Sequence, residues 1–244
     1  KVEETIMITS EFILNNLISG IKNTKVTYVG IGFNFILLES PKGCGLAQTP
    51  SRNTAGCSEI RQTGNLRGIS LKELATWVTS ENPIEIAIGI AAINAAYNRY
   101  DLESKNENGL STLRKLKGPV TTIGRFPGLS KYISNARIIE KEPRTGEYGI
   151  KDTNKLISDS EGVVITSSTL INKTIGPILE SAKDKFVCLI GPSTPLAPSL
   201  FKFGINVLAG TLITDLERMK THILEGGAVK SMKNYSTFKT LIPE

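Results

Sequence analysis

The sequence contains few of the residues that catalytic and metal sites commonly use. Among its 244 residues there are only 1 His and 3 Cys. The histidine, His222, falls near the end of a predicted helix, where a cationic side chain suits the helix dipole. This position is far from the predicted strand ends, so His222 gives no secure basis for a Ser-His-Asp or Cys-His arrangement. An odd cysteine count does not form a disulfide framework, which favours a reducing, cytoplasmic environment.

Long hydrophobic runs are also missing. No apolar stretch approaches the roughly 18 residues of a membrane span, so no membrane partner is expected. The first twenty residues contain Glu3, Glu4 and Glu11, unlike the basic start of a signal peptide. The aromatic content is 6% and the net charge is +6, with dispersed bases that do not alternate with aromatics. This excludes a nucleic-acid partner but suits an anionic small ligand.

The second half of the chain alternates apolar strands with helical patterns. Strands are predicted at 120–123, 137–140, 162–166, 186–190 and 206–210. Helical patterns are predicted at 129–134, 152–158, 170–183, 199–203 and 215–224. Continuous apolar strands alternating with helices indicate an α/β fold, a mostly parallel Rossmann-like sheet covered by helices on both faces.

The first half has a different pattern. A helix at 3–21 precedes three short strands at 25–29, 35–39 and 43–50, and two helices follow at 71–79 and 84–100. This order predicts a small α+β domain. The charged, apolar-poor stretch 101–108 is the best linker candidate. We therefore expect one domain at 1–104 and a second at 105–244.

The residues after the parallel strands form the predicted binding site. The carboxyl ends of such strands meet at one edge of the sheet, so the residues that follow them should converge there. Individually, the serines and threonines are also typical helix caps. As a set they favour a site for a polar small molecule. The predicted ligand-binding residues are Gly124, Arg125, Phe126, Pro127, Thr166, Ser167, Asn172, Gly191, Pro192, Ser193 and Thr194.

Within this set we expect different roles. The turn at Gly124 and the guanidinium of Arg125 would hold an anionic group, and Glu140 would take a ribose or another polar edge. If the protein catalyses a reaction, Glu140 or Glu142 is the predicted acid–base group. Asn94 lies inside a small-residue helix, so its amide either bonds neighbouring backbone or faces a pocket between the domains.

The cysteines suggest a non-enzymatic alternative. Cys44 and Cys57 both follow a glycine in polar surroundings, and two exposed thiols would bind a soft metal. However, no CxxC or HxxxH pair completes such a site, and a structural role is the other interpretation. Cys188 lies within an apolar strand, which predicts simple packing.

With these residues identified, the second half resembles a family described as putative heavy-metal chelation proteins of unknown function. The resemblance rests on T-I-G-R-F-P at 122–127, A-R-I-I-E-K-E-P at 136–143, V-I-T at 164–166, G-P-S-T-P-L at 191–196 and V-L-A-G at 207–210. It implies an enolase N-terminal-like first domain, a Rossmann-like second domain and a site in the cleft between them. It also implies a chelating or heterocyclic ligand, pterin-like or siderophore-like.

The sequence thus predicts a cytoplasmic protein that binds a small molecule between its two domains. An alternative is a nucleoside-cofactor transferase of the S-adenosylmethionine type, which shares the first turn and the position of Glu140. However, the turn after the first strand is not the usual glycine-rich cofactor loop. The sequence identifies neither a cofactor nor a reaction, and it leaves the oligomeric state open, a homo-oligomer included.

Overall fold

The computed structural model describes residues 7–51, 59–104 and 107–243. The first group of elements combines helices with a small antiparallel sheet in the order β1-β2-β3. Its elements are α1 (Ser10–Ser19), β1 (Tyr28–Ile31), β2 (Phe35–Ser40), β3 (Gly43–Gln48), α2 (Leu71–Ala75) and α3 (Pro83–Tyr97). None of the described helices is both long and apolar enough to cross a lipid bilayer.

The starts of α2 and α3 follow from their capping residues. The hydroxyl of Ser70 accepts a hydrogen bond from the N–H of Glu73 at 3.1 Å, as predicted for the start of this helix. Asn82 accepts from Ile84 N–H at 2.9 Å, and Pro83 then begins α3. These caps satisfy N–H groups that have no partner within the helix.

A seven-stranded sheet dominates the second half, in the order β10-β9-β8-β7-β4-β5-β6. Every pairing is parallel except that of β10 with β9, which confirms the predicted α/β fold class. The strands are β4 (Val120–Ile123), β5 (Arg137–Glu140), β6 (Tyr148–Gly149), β7 (Gly162–Thr166), β8 (Phe186–Ile190), β9 (Ile205–Ile213) and β10 (Ser236–Leu241).

The helices of this half are short. They are α4 (Thr153–Ser158), α5 (Ser168–Ile171), α6 (Ile175–Ser181), α7 (Leu216–Leu224) and α8 (Val229–Met232), with 3-10 turns at Gly109–Lys115, Leu129–Lys131, Ile150–Asp152 and Pro198–Phe203. The predicted helix at 129–134 is therefore only one 3-10 turn. The predicted helix at 170–183 is interrupted, because Lys173 adopts a φ of 58° that no α-helix tolerates.

Other element predictions need correction. The helix predicted from residue 3 begins at Ser10, with Thr9 as its cap, and residues 1–6 lie outside the described part. The edge strands β6 and β10 were not predicted. Of the proposed linker at 101–108, residues 105 and 106 lie outside the described part.

The two groups of elements share their hydrophobic interior. One core contains buried residues of α1 and α3 together with buried residues of β7, β8 and β9. A smaller core joins Phe35 and Leu37 of β2 to Met219 and Ile223 of α7. Because apolar surface is removed from water across the boundary, the first group is held firmly on the second.

Candidate functional site

The carboxyl ends of the parallel strands lie side by side, as the sequence pattern predicts. Gly124 follows β4 with a φ of 100°, and a Cβ atom there would lie 2.9 Å from Cγ2 of Thr166 at the end of β7. Gly191 follows β8 with a φ of 143°, and a Cβ atom there would clash with Oγ of Ser167. Only glycine permits both the backbone conformation and the close approach.

Arg125 connects the loops that follow β4 and β5. Its backbone N–H donates to Oε1 of Glu140 at 3.0 Å. Its guanidinium donates to both carboxylate oxygens of Glu147, from Nε at 2.7 Å and from Nη2 at 2.6 Å. Nη2 also donates to the backbone carbonyl of Glu142 at 2.6 Å. Arg125 therefore already has an anionic partner within the protein.

Glu147 is the member of this cluster that the sequence did not reveal. The hydrogen bonds from Arg125, together with the N–H of Arg144, lower its pKa to about 2. A bidentate Arg–carboxylate pair of this kind fixes the direction of both side chains. Glu147 follows an irregular turn rather than a strand, so no periodic pattern points to it. The carboxylates of Glu140 and Glu142 lie at the same edge of the sheet.

The loop after β8 lies against the first half of the chain. Oγ of Ser193 accepts from the backbone N–H of Gln48 at 3.0 Å. Asn98, directly after α3, donates from Nδ2 to the carbonyl of Thr194 at 3.0 Å and accepts from the N–H of Leu196 at 2.8 Å. Asn98 is buried, and it was not among the predicted residues. These contacts place Ser193 and Thr194 at the boundary between the two halves.

Two buried polar atoms, one on α3 and one in the loop after β8, lack hydrogen-bond partners in the described part of the chain. Asn94 donates from Nδ2 to the carbonyl of Leu46 at 2.6 Å, but its Oδ1 atom is unpaired. Oγ1 of Thr194 is unpaired too. Both residues are 0% exposed. Burying a polar atom without a partner is costly, and six other side-chain atoms in the described part of the chain are in the same state.

The remaining predicted residues have more local environments. Phe126 packs against a further core that includes Leu129 and Val164, whereas Pro127 is exposed. Oγ1 of Thr166 lies 3.2 Å from Oγ of Ser168. Pro192 is partly buried in the loop after β8.

Asn172 is exposed, and its Oδ1 atom accepts from the N–H and the hydroxyl of Thr174. Its described hydrogen bonds therefore organise its own turn and do not join it to the other strand ends.

Two cavities of the described structure lie away from the carboxyl edge. One of about 450 Å³ lies at the amino end of β4, and one of about 400 Å³ lies beside residues 7–10. Neither is lined by a predicted site residue. At the carboxyl edge, Gln48 and Asn98 hydrogen-bond to the loop after β8 and cover it. A ligand at the boundary therefore requires that this cover open.

The cysteine alternative needs correction. Cys44 is 2% exposed rather than surface-accessible, and burial raises the pKa of its thiol well above the ordinary value. Such a thiol is a poor metal ligand. Cys57 lies outside the described residues. Across residues 7–51, 59–104 and 107–243, no group of three or more His, Cys, Asp or Glu is arranged to hold a metal ion. Cys188 is buried as predicted.

Comparisons with known proteins agree with this architecture. Two family models, both described as "Putative heavy-metal chelation", match residues 110–242 and residues 14–97. An uncharacterized protein of Methanocaldococcus jannaschii is 26% identical over 205 residues, which are 76% of this chain and 77% of that protein.

Two solved structures of proteins with unknown function, both from the DUF364 family, are similar to this one. That from Desulfitobacterium hafniense is 26% identical, with a TM-score of 0.82 over 96% of this chain and 98% of that one. That from Pyrococcus horikoshii is 20% identical, with a TM-score of 0.78 over 96% of this chain and 99% of that one. At 20% identity, the second likeness concerns the fold alone.

Proposed function

The chain belongs to the family described as "Putative heavy-metal chelation", and from that premise we propose that it binds a chelating small molecule. The proposed site is the boundary between α3 and the loop that follows β8. The ligand is a heterocyclic or metal-chelating metabolite, pterin-like or siderophore-like in its chemistry. A metal ion, where one is carried, is held by the ligand and not by the described side chains.

The observation that carries this proposal is the pair of unpaired buried oxygens. Oδ1 of Asn94 belongs to the first half of the chain and Oγ1 of Thr194 to the second, and neither has a hydrogen-bond partner in the described residues. A ligand with N–H or O–H groups that entered between them would supply the missing donors. The free energy lost by burying these atoms unpaired would then be recovered on binding.

Polar groups at the neighbouring strand ends suit the rest of such a ligand. The side chains of Arg125 and Glu140 are 30% and 23% exposed, so both are accessible from solvent. The hydrogen bond from the backbone N–H of Arg125 to Glu140 already positions them. Glu140 or Glu142 would exchange a proton with a bound heterocycle if the protein acts as an enzyme. Ligand binding first requires residues 193–196 to separate from Asn98. In this proposal the structure is the closed state of the site.

Native mass spectrometry of protein isolated directly from its own cells tests this proposal. We expect a co-purifying compound in the wild-type spectrum and its loss in the Arg125→Ala/Thr194→Ala double variant, with folding verified by circular dichroism. An unoccupied wild-type protein, or a variant that retains the compound, would show that the site lies elsewhere.

Saturation binding of S-adenosylmethionine separates this proposal from the nucleoside-cofactor alternative. That alternative requires Glu140 to hold a ribose, but Oε1 of Glu140 already accepts the backbone N–H of Arg125 at 3.0 Å. We expect no saturable binding. A saturable isotherm that disappears in Glu140→Gln would favour the transferase instead.

A further inference from the structure

A groove at the opposite edge of the sheet has the features of a second ligand site. Its volume is about 450 Å³ and it is lined by Val120, the first residue of β4. Gly124, in the candidate site described above, follows the other end of this strand. Four strand residues span about 13 Å. A small molecule in the groove would therefore be remote from the boundary at Thr194.

The floor and one wall of this groove are apolar. Leu113 and Val120 are buried beneath it, and Leu116 and Ile133 are partly exposed beside them. Tyr132 adds an aromatic ring to the wall. Volumes of about 300 to 1,000 Å³ with mainly apolar linings and a few polar groups are typical of small-molecule sites. The exposed lining of this groove is more mixed, with somewhat more polar than apolar surface, so it suits a ligand that has both an apolar body and polar groups.

The charged side chains that line the groove are cationic, although the carboxylate of Glu161 lies beside Gly118. Arg114 and Lys117 are cationic, and the described residues that line the groove include no acid. The guanidinium of Arg114 lies 5.1 Å from the centroid of the Tyr132 ring. This places a cation beside the aromatic wall. Such an arrangement favours a negative group at the mouth of the groove.

Glu161 borders the groove, and its carboxylate is hydrogen-bonded to the backbone. Its Oε2 atom accepts the N–H of Lys117 at 2.9 Å and also the N–H of Gly118. These two hydrogen bonds hold residues 117 and 118 in place. The rim that carries Lys117 is therefore ordered before any ligand arrives, which reduces the entropy cost of binding.

We propose that this groove binds an amphipathic anion, an aromatic or other flat apolar body that bears a carboxylate or a phosphate. The apolar body lies against Tyr132 and Leu116, and the anionic group is held by Arg114 and Lys117. Ser134 and Asn135 at the opposite rim supply a hydroxyl and an amide for further polar atoms of the ligand. This site is separate from the proposed chelate site and does not depend on it.

Titration of 2-naphthoate and 2-naphthyl phosphate into ¹⁵N-labelled protein tests the proposal, with 2-naphthylmethanol as the uncharged control. We expect saturable shifts at the amides of Lys117, Gly118 and Ser134 with the anions and at least about tenfold weaker binding of the alcohol. The anion that binds more tightly shows whether the site prefers a carboxylate or a phosphate. Equal binding of the alcohol, or shifts confined to other residues, would overturn the proposal.

Matched charge variants separate a built site from general attraction. Arg114→Gln and Lys117→Gln should each weaken binding of the preferred anion about fivefold, the effect of losing one partly exposed ion pair. Lys230→Gln makes the same change in net charge at an exposed position of α8, which packs with β2 and α7 rather than at the groove, and it should change affinity less than twofold. Equal losses in all three variants would contradict the assignment.

Discussion

The side chain of Asn98 holds the backbone on both sides of Pro195. Its Nδ2 atom donates to the carbonyl of Thr194 at 3.0 Å, and its Oδ1 atom accepts from the N–H of Leu196 at 2.8 Å. Asn98 ends the helix of the first half, whereas Thr194 lies 96 residues later in the second half. One buried amide thus joins the two halves at the proposed site.

Asn98→Ala should lower the free energy of unfolding by about 2 to 4 kcal/mol, because it leaves a buried backbone carbonyl and a buried N–H without partners. Urea unfolding monitored by circular dichroism measures this change. Asn234→Ala removes an exposed amide and should cost less than about 0.5 kcal/mol. Similar small losses in both variants would show that the Asn98 contacts do not hold the boundary.

The ion pair of Arg125 with Glu147 should make stability dependent on pH. The folded-state pKa of Glu147 is about 2, below the ordinary carboxyl value, so its stabilisation is present above about pH 4.5. It is lost as the pH falls towards 2. In Glu147→Gln the melting temperature should be lower than wild type at pH 7, and this difference should shrink between pH 4.5 and 2.5.

Glu142→Gln is the matched control for that experiment. Glu142 is exposed, and it contacts Arg125 through its backbone carbonyl. The substitution leaves this carbonyl in place. Its melting temperature should follow that of the wild type across the same pH range. If Glu147→Gln and Glu142→Gln behave alike at every pH, the guanidinium pair is not a stabilising contact.

Gly191→Ala should destabilise the protein more than Gly204→Ala. Both glycines have a positive φ, but a Cβ atom at Gly191 clashes with Oγ of Ser167, whereas one at Gly204 meets nothing within 4 Å. The backbone conformation alone costs about 1 to 2 kcal/mol, and the clash adds to it. Ser167→Ala in the Gly191→Ala background should recover part of the loss. A double-mutant cycle without coupling would contradict this contact.

Thr194→Val should raise the free energy of unfolding by about 1 kcal/mol. The substitution replaces an unpaired buried hydroxyl with a methyl group of nearly the same size, which removes a desolvation penalty. Thr211→Val offers a comparison, because Oγ1 of Thr211 is also buried and unpaired in the described part of the chain. Loss of stability in Thr194→Val would mean that its hydroxyl has a partner after all.

The parallel strands could be predicted from the sequence because their physical signal is local. β7 and β8 are buried on both faces, so each is a continuous apolar run such as V-V-I or V-C-L-I. β10 reads S-T-F-K-T-L and is mostly half-buried at the edge of the sheet, and β6 has only two residues. Neither produces a run of apolar residues that distinguishes it from a loop.

The candidate site was predictable only in outline. Glycines and hydroxyl residues after strands point to the edge of the sheet, where Gly124, Thr166 and Gly191 lie; their role in binding stays a prediction. The partners of Asn98 lie 96 and 98 residues away, and Glu147 reaches Arg125 from a turn 22 residues later. Such pairings depend on how the whole chain folds, so no local pattern contains them.

Native mass spectrometry of Thr194→Val and Thr211→Val, isolated side by side from cells, tests the central claim most directly. Both variants lose one unpaired buried hydroxyl, but of the two residues Thr194 is the one that is hydrogen-bonded to Asn98. The account predicts that the co-purifying compound is absent from Thr194→Val and present in Thr211→Val at the wild-type level. Equal occupancy in the two variants would contradict it.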